Sequence, residues 1–348
     1  NFSVGLKVTR KSVKLFTKLQ FSDVVVASPL AVRMLVGEHG KGADCLSSVE
    51  VAIVLGTEAL QMQVRYTTLR SVNGCSNSAL RANWQNWEHL MTTMAAMNQT
   101  PSKDHGADFS RVRTFCLNGW GRAFRQTVVL APYVTPDTNA LFREECASLR
   151  GRVRISHACV DGVVQRIAPK VRQLFQRMAD CGGDPDEARL QYFTHELMPK
   201  LRKSAVGQGH TLVYVPSYFD YVRLRNWFRE VSSDVERMQF VVLSEYTEPG
   251  DVTRNRAKFR DGGVDYALCT ERFHYYHRYQ LKGLKHIIFY ALPTIAGFYS
   301  ELLNLLPPLG STTTALISKY DGLALQRVVG SARAAKMLSA PKDTHLLV

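Results

Sequence analysis

The 348-residue chain is long enough for two domains, each with its own core. Its 44 Lys and Arg against 30 Asp and Glu leave a net charge of +14, which favours a polyanionic partner, nucleic acid being the commonest. No run of about 18 apolar residues escapes charge or proline, so no membrane-spanning helix is expected; the seven cysteines are scattered without a C-x-x-C pair, which argues for reduced structural thiols over disulfides or zinc.

The chain starts at Asn1 rather than Met, so further sequence is expected upstream. Residues 23–29 read as a buried strand ended by a Pro29 turn. The glycine-rich run from Gly37 to Gly42 lacks the spacing and the hydroxyl of G-x-x-x-x-G-K-[ST] and reads as a flexible loop. Residues 49–55 are the next strand. Apolar residues at 84, 87, 90, 91, 94 and 97 predict a helix, and residues 125–132 a third strand. A short helix over 138–148, a basic strand over 151–156, a helix around 170–179 and a helix over 187–203 follow.

The second half opens with a strand at 210–216. A helix over 217–228 is expected to bury Val222, Leu224 and Phe228, with Arg223 and Arg225 flanking that stripe. Strands follow at 241–243, 266–270, 286–293 and 313–317. A basic helix over 254–260 is stopped by Gly262 and Gly263, and a closing helix spans 323–338. Strands alternating with helical patterns predict an α/β fold with parallel sheets.

Two cationic regions stand out. Between 150 and 177, Arg150, Arg152, Arg154, Arg166, Lys170, Arg172 and Arg177 face a single acid, Asp161. Arginine suits bidentate phosphate contacts, and equally an acidic protein. From Arg272 to Lys282, aromatic and basic residues interleave, a pattern suited to base stacking and phosphate contact or to a protein-binding surface. The RNA-binding candidates are Arg150, Arg152, Arg154, Arg172, Arg177, Arg223, Arg225, Arg272, Tyr275, Tyr276, Arg278 and Lys282. No H-E-x-x-H or G-x-S-x-G occurs, and His105, His157, His195 and His210 stand far apart. No catalytic residue, metal or cofactor is expected.

The order from Val241 to Pro293 resembles the second RecA-like domain of superfamily 2 RNA helicases, including K-F-R-D-G-G, C-T-E and H-I-I-F-Y-A-L-P. The resemblance implies two RecA-like domains: 1–145, N-terminally truncated, a connection over 146–205, and 206–348. A helicase of that kind presents an arginine pair where this chain has Leu302 and Leu305. Its Asp-Glu-Ala-Asp becomes Leu55, Gly56, Thr57 and Glu58, and its Ser-Ala-Thr becomes Ala131, Pro132 and Tyr133. One carboxylate without its neighbours is a poor Mg²⁺ site, and leucine cannot stabilise a phosphate charge.

The runs 85–89, 108–113, 216–226, 270–276 and 318–321 are not general helicase motifs. Together they closely resemble the digestive-organ-expansion-factor family of U3 small nucleolar RNA-associated proteins. That resemblance implies a degenerate, non-catalytic helicase fold in the nucleus and nucleolus, within the small-subunit processome. It implies U3 RNA, pre-ribosomal RNA and processome proteins, among them a Sas-ten-type protein, as partners in pre-18S rRNA processing. The alternatives are an active RNA helicase whose phosphate loop lies upstream, and a purely protein-binding adaptor.

Overall fold

Ser3–Val8 (β1) pairs antiparallel with Val13–Leu15 (β2) on one side and with Val24–Ala27 (β3) on the other. This is a computed structural model, describing residues 2–37, 43–56, 85–101, 110, 112–155, 159–179, 184–203, 209–234, 238–308 and 310–347. They divide into two units, 1–155 and 156–348.

In the first unit β3 departs from expectation. Val24, Val25 and Val26 are 47, 40 and 48 % exposed, because β3 lies at the edge of this small antiparallel sheet. A short apolar run reads alike in either setting. Ser28 then caps Pro29–Val36 (α1), its hydroxyl accepting Ala31 N–H at 3.3 Å, with proline in the first turn where no N–H is needed. Val51–Leu55 (β4) and Gln126–Leu130 (β5) pair in parallel, as the spacing predicts. Val54 packs with Trp87, Leu90 and Met94 of Gln85–Ala96 (α2) and with Leu141 of Pro136–Glu144 (α3). The Arg125 guanidinium is buried among them. It donates to Asn98 Oδ1 at 3.2 Å and to the Glu145 carbonyl at 3.1 Å, which offsets its desolvation.

The second unit is a seven-stranded sheet in the order β12-β6-β11-β10-β7-β9-β8. Its strands are Arg172–Arg177 (β6), Thr211–Val215 (β7), Phe240–Leu243 (β8), Tyr266–Thr270 (β9), His286–Phe289 (β10), Thr312–Ile317 (β11) and Thr344–Leu347 (β12). Only β12 runs antiparallel. β7, β9 and β10 are buried at every residue, as strands covered on both faces must be. Val213, Val215, Leu268, Ile288 and Leu316 point to one face. There they meet Tyr221, Leu224 and Phe228 of Tyr218–Asp234 (α6) and Phe193, Leu197 and Met198 of the helical stretch that starts with Pro185–Gln191 (α4), passes a π-helical turn and ends with Met198–Lys203 (α5). On the other face Tyr214, Phe289 and Tyr299 form an aromatic chain, with ring centres 5.5 and 4.7 Å apart.

Four local readings change. Residues 172–177 form β6 rather than a helix, because pairing with β11 and β12 overrides a Gln- and Arg-rich composition. The stretch 146–205 thus supplies β6, α4 and α5 to the second unit. Residues 151–155 join no sheet. The buried stripe of α6 is Tyr221, Leu224 and Phe228, with Val222 half-buried at its side. The closing helix is two helices, Gly322–Val329 (α10) and Ser331–Ser339 (α11), broken at Gly330. Gly330 has φ 91°, and a Cβ there would lie 2.4 Å from the Val160 carbonyl. The approach is held by Ser331 N–H, which donates to the Cys159 carbonyl at 2.8 Å.

Candidate nucleic-acid interface

β7 connects through α6 to β8 on one side, whereas β10 connects to β11 on the other. The strand order therefore switches direction between β7 and β10, and in such sheets ligands bind outside the carboxyl ends of the strands at that point. Buried polar side chains of the chain itself fill it. Asp220 follows β7 and Tyr290 follows β10, and both are buried. Burial, reinforced by Asp186, pushes the Asp220 carboxyl up to about 6 against Arg189 and Arg223. Arg189 donates to Asp321 Oδ2 at 2.7 Å, and Asp321 also accepts Ser318 N–H at 2.8 Å, joining α4 to the loop after β11.

β9 ends on Thr270, whose hydroxyl accepts Phe273 N–H at 3.2 Å and so caps Glu271–His277 (α8). The same hydroxyl donates to Glu245 Oε2 at 2.7 Å, and Arg272 Nη1 lies 3.4 Å from Glu245 Oε1. Glu271 has no solvent exposure, and its carboxylate accepts Thr294 and Ile295 N–H at 3.2 and 3.1 Å. Burial pushes it up to about 7. At the other end of α8, Arg278 takes a left-handed conformation and donates to Glu301 Oε1 at 2.7 Å. Its guanidinium lies 4.9 Å from the centre of the Phe298 ring. Glu245, Glu271, Asp321 and Glu301 each hold such partners, and the edge presents cations and aromatic faces to solvent.

Arg272, Tyr275, Tyr276, Arg278 and Lys282 come together on the segment after β9. Arg272 is half-buried against Glu245, Tyr275 is half-buried, and Tyr276, Arg278 and Lys282 are exposed. Tyr275 and Tyr276 meet edge-to-face at 5.3 Å. Arg223 and Arg225 lie on α6, Arg223 3.6 Å from Glu187. Arg172 and Arg177 lie at opposite ends of β6. Arg172 is exposed, but Arg177 donates to Asp343 Oδ1 at 2.9 Å and to the Leu338 carbonyl at 2.7 Å, bracing β6 against the C-terminal segment. Arg150, Arg152 and Arg154 belong to the first unit and are exposed, with Arg152 donating to the Phe142 carbonyl at 3.4 Å.

Sequence reasoning missed part of this edge. Phe219, Tyr246 and Tyr320 are 47, 43 and 64 % exposed, and follow β7, β8 and β11. Together with Tyr276 they set solvent-facing rings beyond the carboxyl ends of four strands. Each lies two to three residues past a predicted strand, or within the helix that follows it, and that position was the available signal. His277 and Tyr279 also stack, 5.1 Å apart and 2° from parallel, with Arg256 4.1 Å from the centre of the Tyr279 ring.

The positions of ATPase residues are occupied otherwise. Leu302 lies on Gly297–Leu303 (α9) at 1 % exposure, and Leu305 is half-buried. Leu55 ends β4 and Gly56 follows with φ 64°. Glu58, residues 38–42 and residues 108, 109 and 111 lie outside the described residues.

A family model described as "Utp25, C-terminal domain" matches residues 163–347, and one described as "UTP25, NTP hydrolase-like domain" matches residues 1–78 and 76–153. The chain belongs to the Utp25 family. The blocks 216–226, 270–276 and 318–321, which carry the sequence resemblance, lie within the matched residues. The U3 small nucleolar RNA-associated protein 25 homolog of Xenopus tropicalis is 37% identical over all of this chain and 43% of its own length. Protein NUCLEOLAR FACTOR 1 of Arabidopsis thaliana is 35% identical over 98% of this chain and 42% of its own length. The chain thus spans less than half the length of these relatives. Among solved structures, the yeast DEAD-box splicing factor Prp28 aligns over 85% of this chain and 55% of that one, at 11% identity and a TM-score of 0.34, a likeness too low to carry an argument.

Proposed function

We propose that this member of the Utp25 family is the helicase-like part of a non-catalytic scaffold in the small-subunit processome of the nucleolus. There it serves U3-dependent processing of the precursor to 18S rRNA and assembly of the small ribosomal subunit. The names of its relatives, which mention U3 small nucleolar RNA and the nucleolus, support the particle and the compartment. Its partners are U3 RNA, pre-ribosomal RNA and processome proteins, including one of the Sas-ten type.

Leu302 is the observation that carries the non-catalytic part. It stands where an active lobe presents a phosphate-binding arginine, and it is built into the core. Losing a transition-state arginine alone costs about a thousandfold or more in turnover. Leu55 and Gly56 in place of leading carboxylates add to that loss.

RNA contact is assigned to four of the exposed cationic candidates, Arg150, Arg154, Arg172 and Lys282, with Tyr276 and Tyr320 as stacking faces. Arg177 and Arg272 act as internal braces. RNA-stimulated ATP hydrolysis and nucleotide binding by the full-length protein test the reading. Neither is expected, and turnover abolished by changing Glu58 would make the protein an active helicase. Charge reversal of Arg150 and Arg154 is expected to weaken RNA crosslinks and flatten their salt dependence; unchanged crosslinks would favour the protein adaptor.

A further inference from the structure

β8 is the outer strand of the seven-stranded sheet, and among the described residues it pairs with β9 alone. Tyr266 N–H donates to the Gln239 carbonyl at 3.1 Å, which sets the parity of the ladder. Groups of residues 239, 241 and 243 point toward β9, and those of Phe240 and Val242 point outward. The Val242 carbonyl is met by the Asn255 side chain of Pro249–Arg260 (α7), whose Nδ2 donates at 3.0 Å where a neighbouring strand's N–H would. Among the described residues, the outward N–H groups of Phe240 and Val242 and the Phe240 carbonyl carry no such partner.

A groove of about 420 Å³ runs along this edge. Its floor is Phe240, Val241, Val242 and Val264, and its rims carry Arg229 from α6 and Lys258 from α7. Both cations are exposed, and among the described residues no acidic side chain lines the groove. None of the RNA-binding candidates lines it either. Open strand edges are normally blunted by charge or covered, because they recruit other strands. Here, among the described residues, the Asn255 side chain covers one carbonyl, and the charged side chains that line the groove, Arg229 and Lys258, are of one sign.

We propose that the β8 edge receives an extended acidic segment of a partner protein by strand addition, its backbone pairing with Phe240 and Val242 and its carboxylates meeting Arg229 and Lys258. Backbone pairing supplies the register, and the two cations select charge. Asn255 holds the edge until the segment arrives. The proposal stands apart from the RNA reading, since it concerns different residues and a different class of partner.

Fluorescence polarisation of the full-length protein with a labelled octapeptide alternating Glu and Val tests it, with the Lys and Val counterpart as control. The acidic peptide is expected to bind saturably and the basic one not. Val242→Pro removes an outward N–H and leaves the ladder intact, so affinity is expected to fall about tenfold. The Arg229→Glu, Lys258→Glu double variant is expected to lose about as much. Asn255→Ala frees the Val242 carbonyl without touching the sheet, and is expected to tighten binding a few-fold. It provides the answer should the proline variant fail to fold. Absence of saturable binding, or binding indifferent to both Val242→Pro and Asn255→Ala, overturns strand addition. Displacement of the peptide by oligouridine, unaffected by Val242→Pro, overturns it in favour of a nucleic-acid groove.

Discussion

Glu271→Gln is expected to change how the stability of the second unit depends on pH. The Glu271 carboxyl is fully buried at the start of α8, and burial raises its pKa from 4.5 to about 7, with the Thr294 and Ile295 amides opposing the shift. A raised pKa means that the folded chain holds the proton more tightly than the unfolded one. The resulting stabilisation is complete below about pH 4.5 and is lost as pH rises toward 7. At about 1.4 kcal/mol per pH unit, the interval from 4.5 to about 7 amounts to about 3 kcal/mol. Asp220, raised from 3.8 to about 6, adds a loss of the same sign, so the wild-type protein falls by more than the share of Glu271. The glutamine variant does not titrate at this position. Its stability relative to wild type is therefore expected to improve by about 2–3 kcal/mol between pH 5 and pH 8. Urea unfolding at the two pH values measures the difference, with amide exchange of β9 and β10 locating it in the second unit. Parallel pH profiles for the two proteins would refute the reasoning, because they would mean that the folded carboxyl ionises as readily as the unfolded one.

Leu302→Arg places an unpaired cation in the core of α9; a loss of about 3–5 kcal/mol and a melting temperature lowered by about 10 °C are expected. Retained stability with gained ATP hydrolysis would show that the position still faces a phosphate site. Gly330→Ala is expected to cost about 2–4 kcal/mol in chemical denaturation, since φ 91° and the Val160 carbonyl both exclude a Cβ. Glu245→Gln removes the carboxylate charge that faces the largely buried Arg272 side chain and is expected to cost about 1–3 kcal/mol. Adding Arg272→Met should recover part of that cost, and a double-mutant cycle gives the coupling.

Much of the architecture was legible in local pattern. The runs at 211–215, 266–270 and 286–289 are apolar throughout because strands buried on both faces need no polar side. Ser28 and Thr270 are residue types suited to helix starts, yet the helices that follow them, α1 and α8, were not read from the sequence. Residues 172–177 were not legible, since Arg and Gln give no strand signal and only β11 and β12 make them one. Gly330 was hidden inside a helical period because its role depends on residues 160–162, distant in sequence. The departures from an ATPase at 55, 56, 302 and 305 were plain from identity, but that Leu302 is core required the packing of α9.

Composition, spacing and motif order were sufficient for the α/β class, five of the seven strands of the second unit's sheet and the family resemblance, because each depends on residues near one another in the chain. Which cations are surface and which are structural depends on partners that local sequence does not supply. Arg272 meets Glu245 across 27 positions, Arg189 meets Asp321 across 132, and Arg177 meets Asp343 across 166. Those pairs form only when the strand order brings their elements together; the Arg189 and Arg272 pairs are then largely buried, whereas Asp343 stays exposed beside Arg177. Arg150, Arg154 and Arg172 are equally basic in sequence, yet folding leaves them facing solvent.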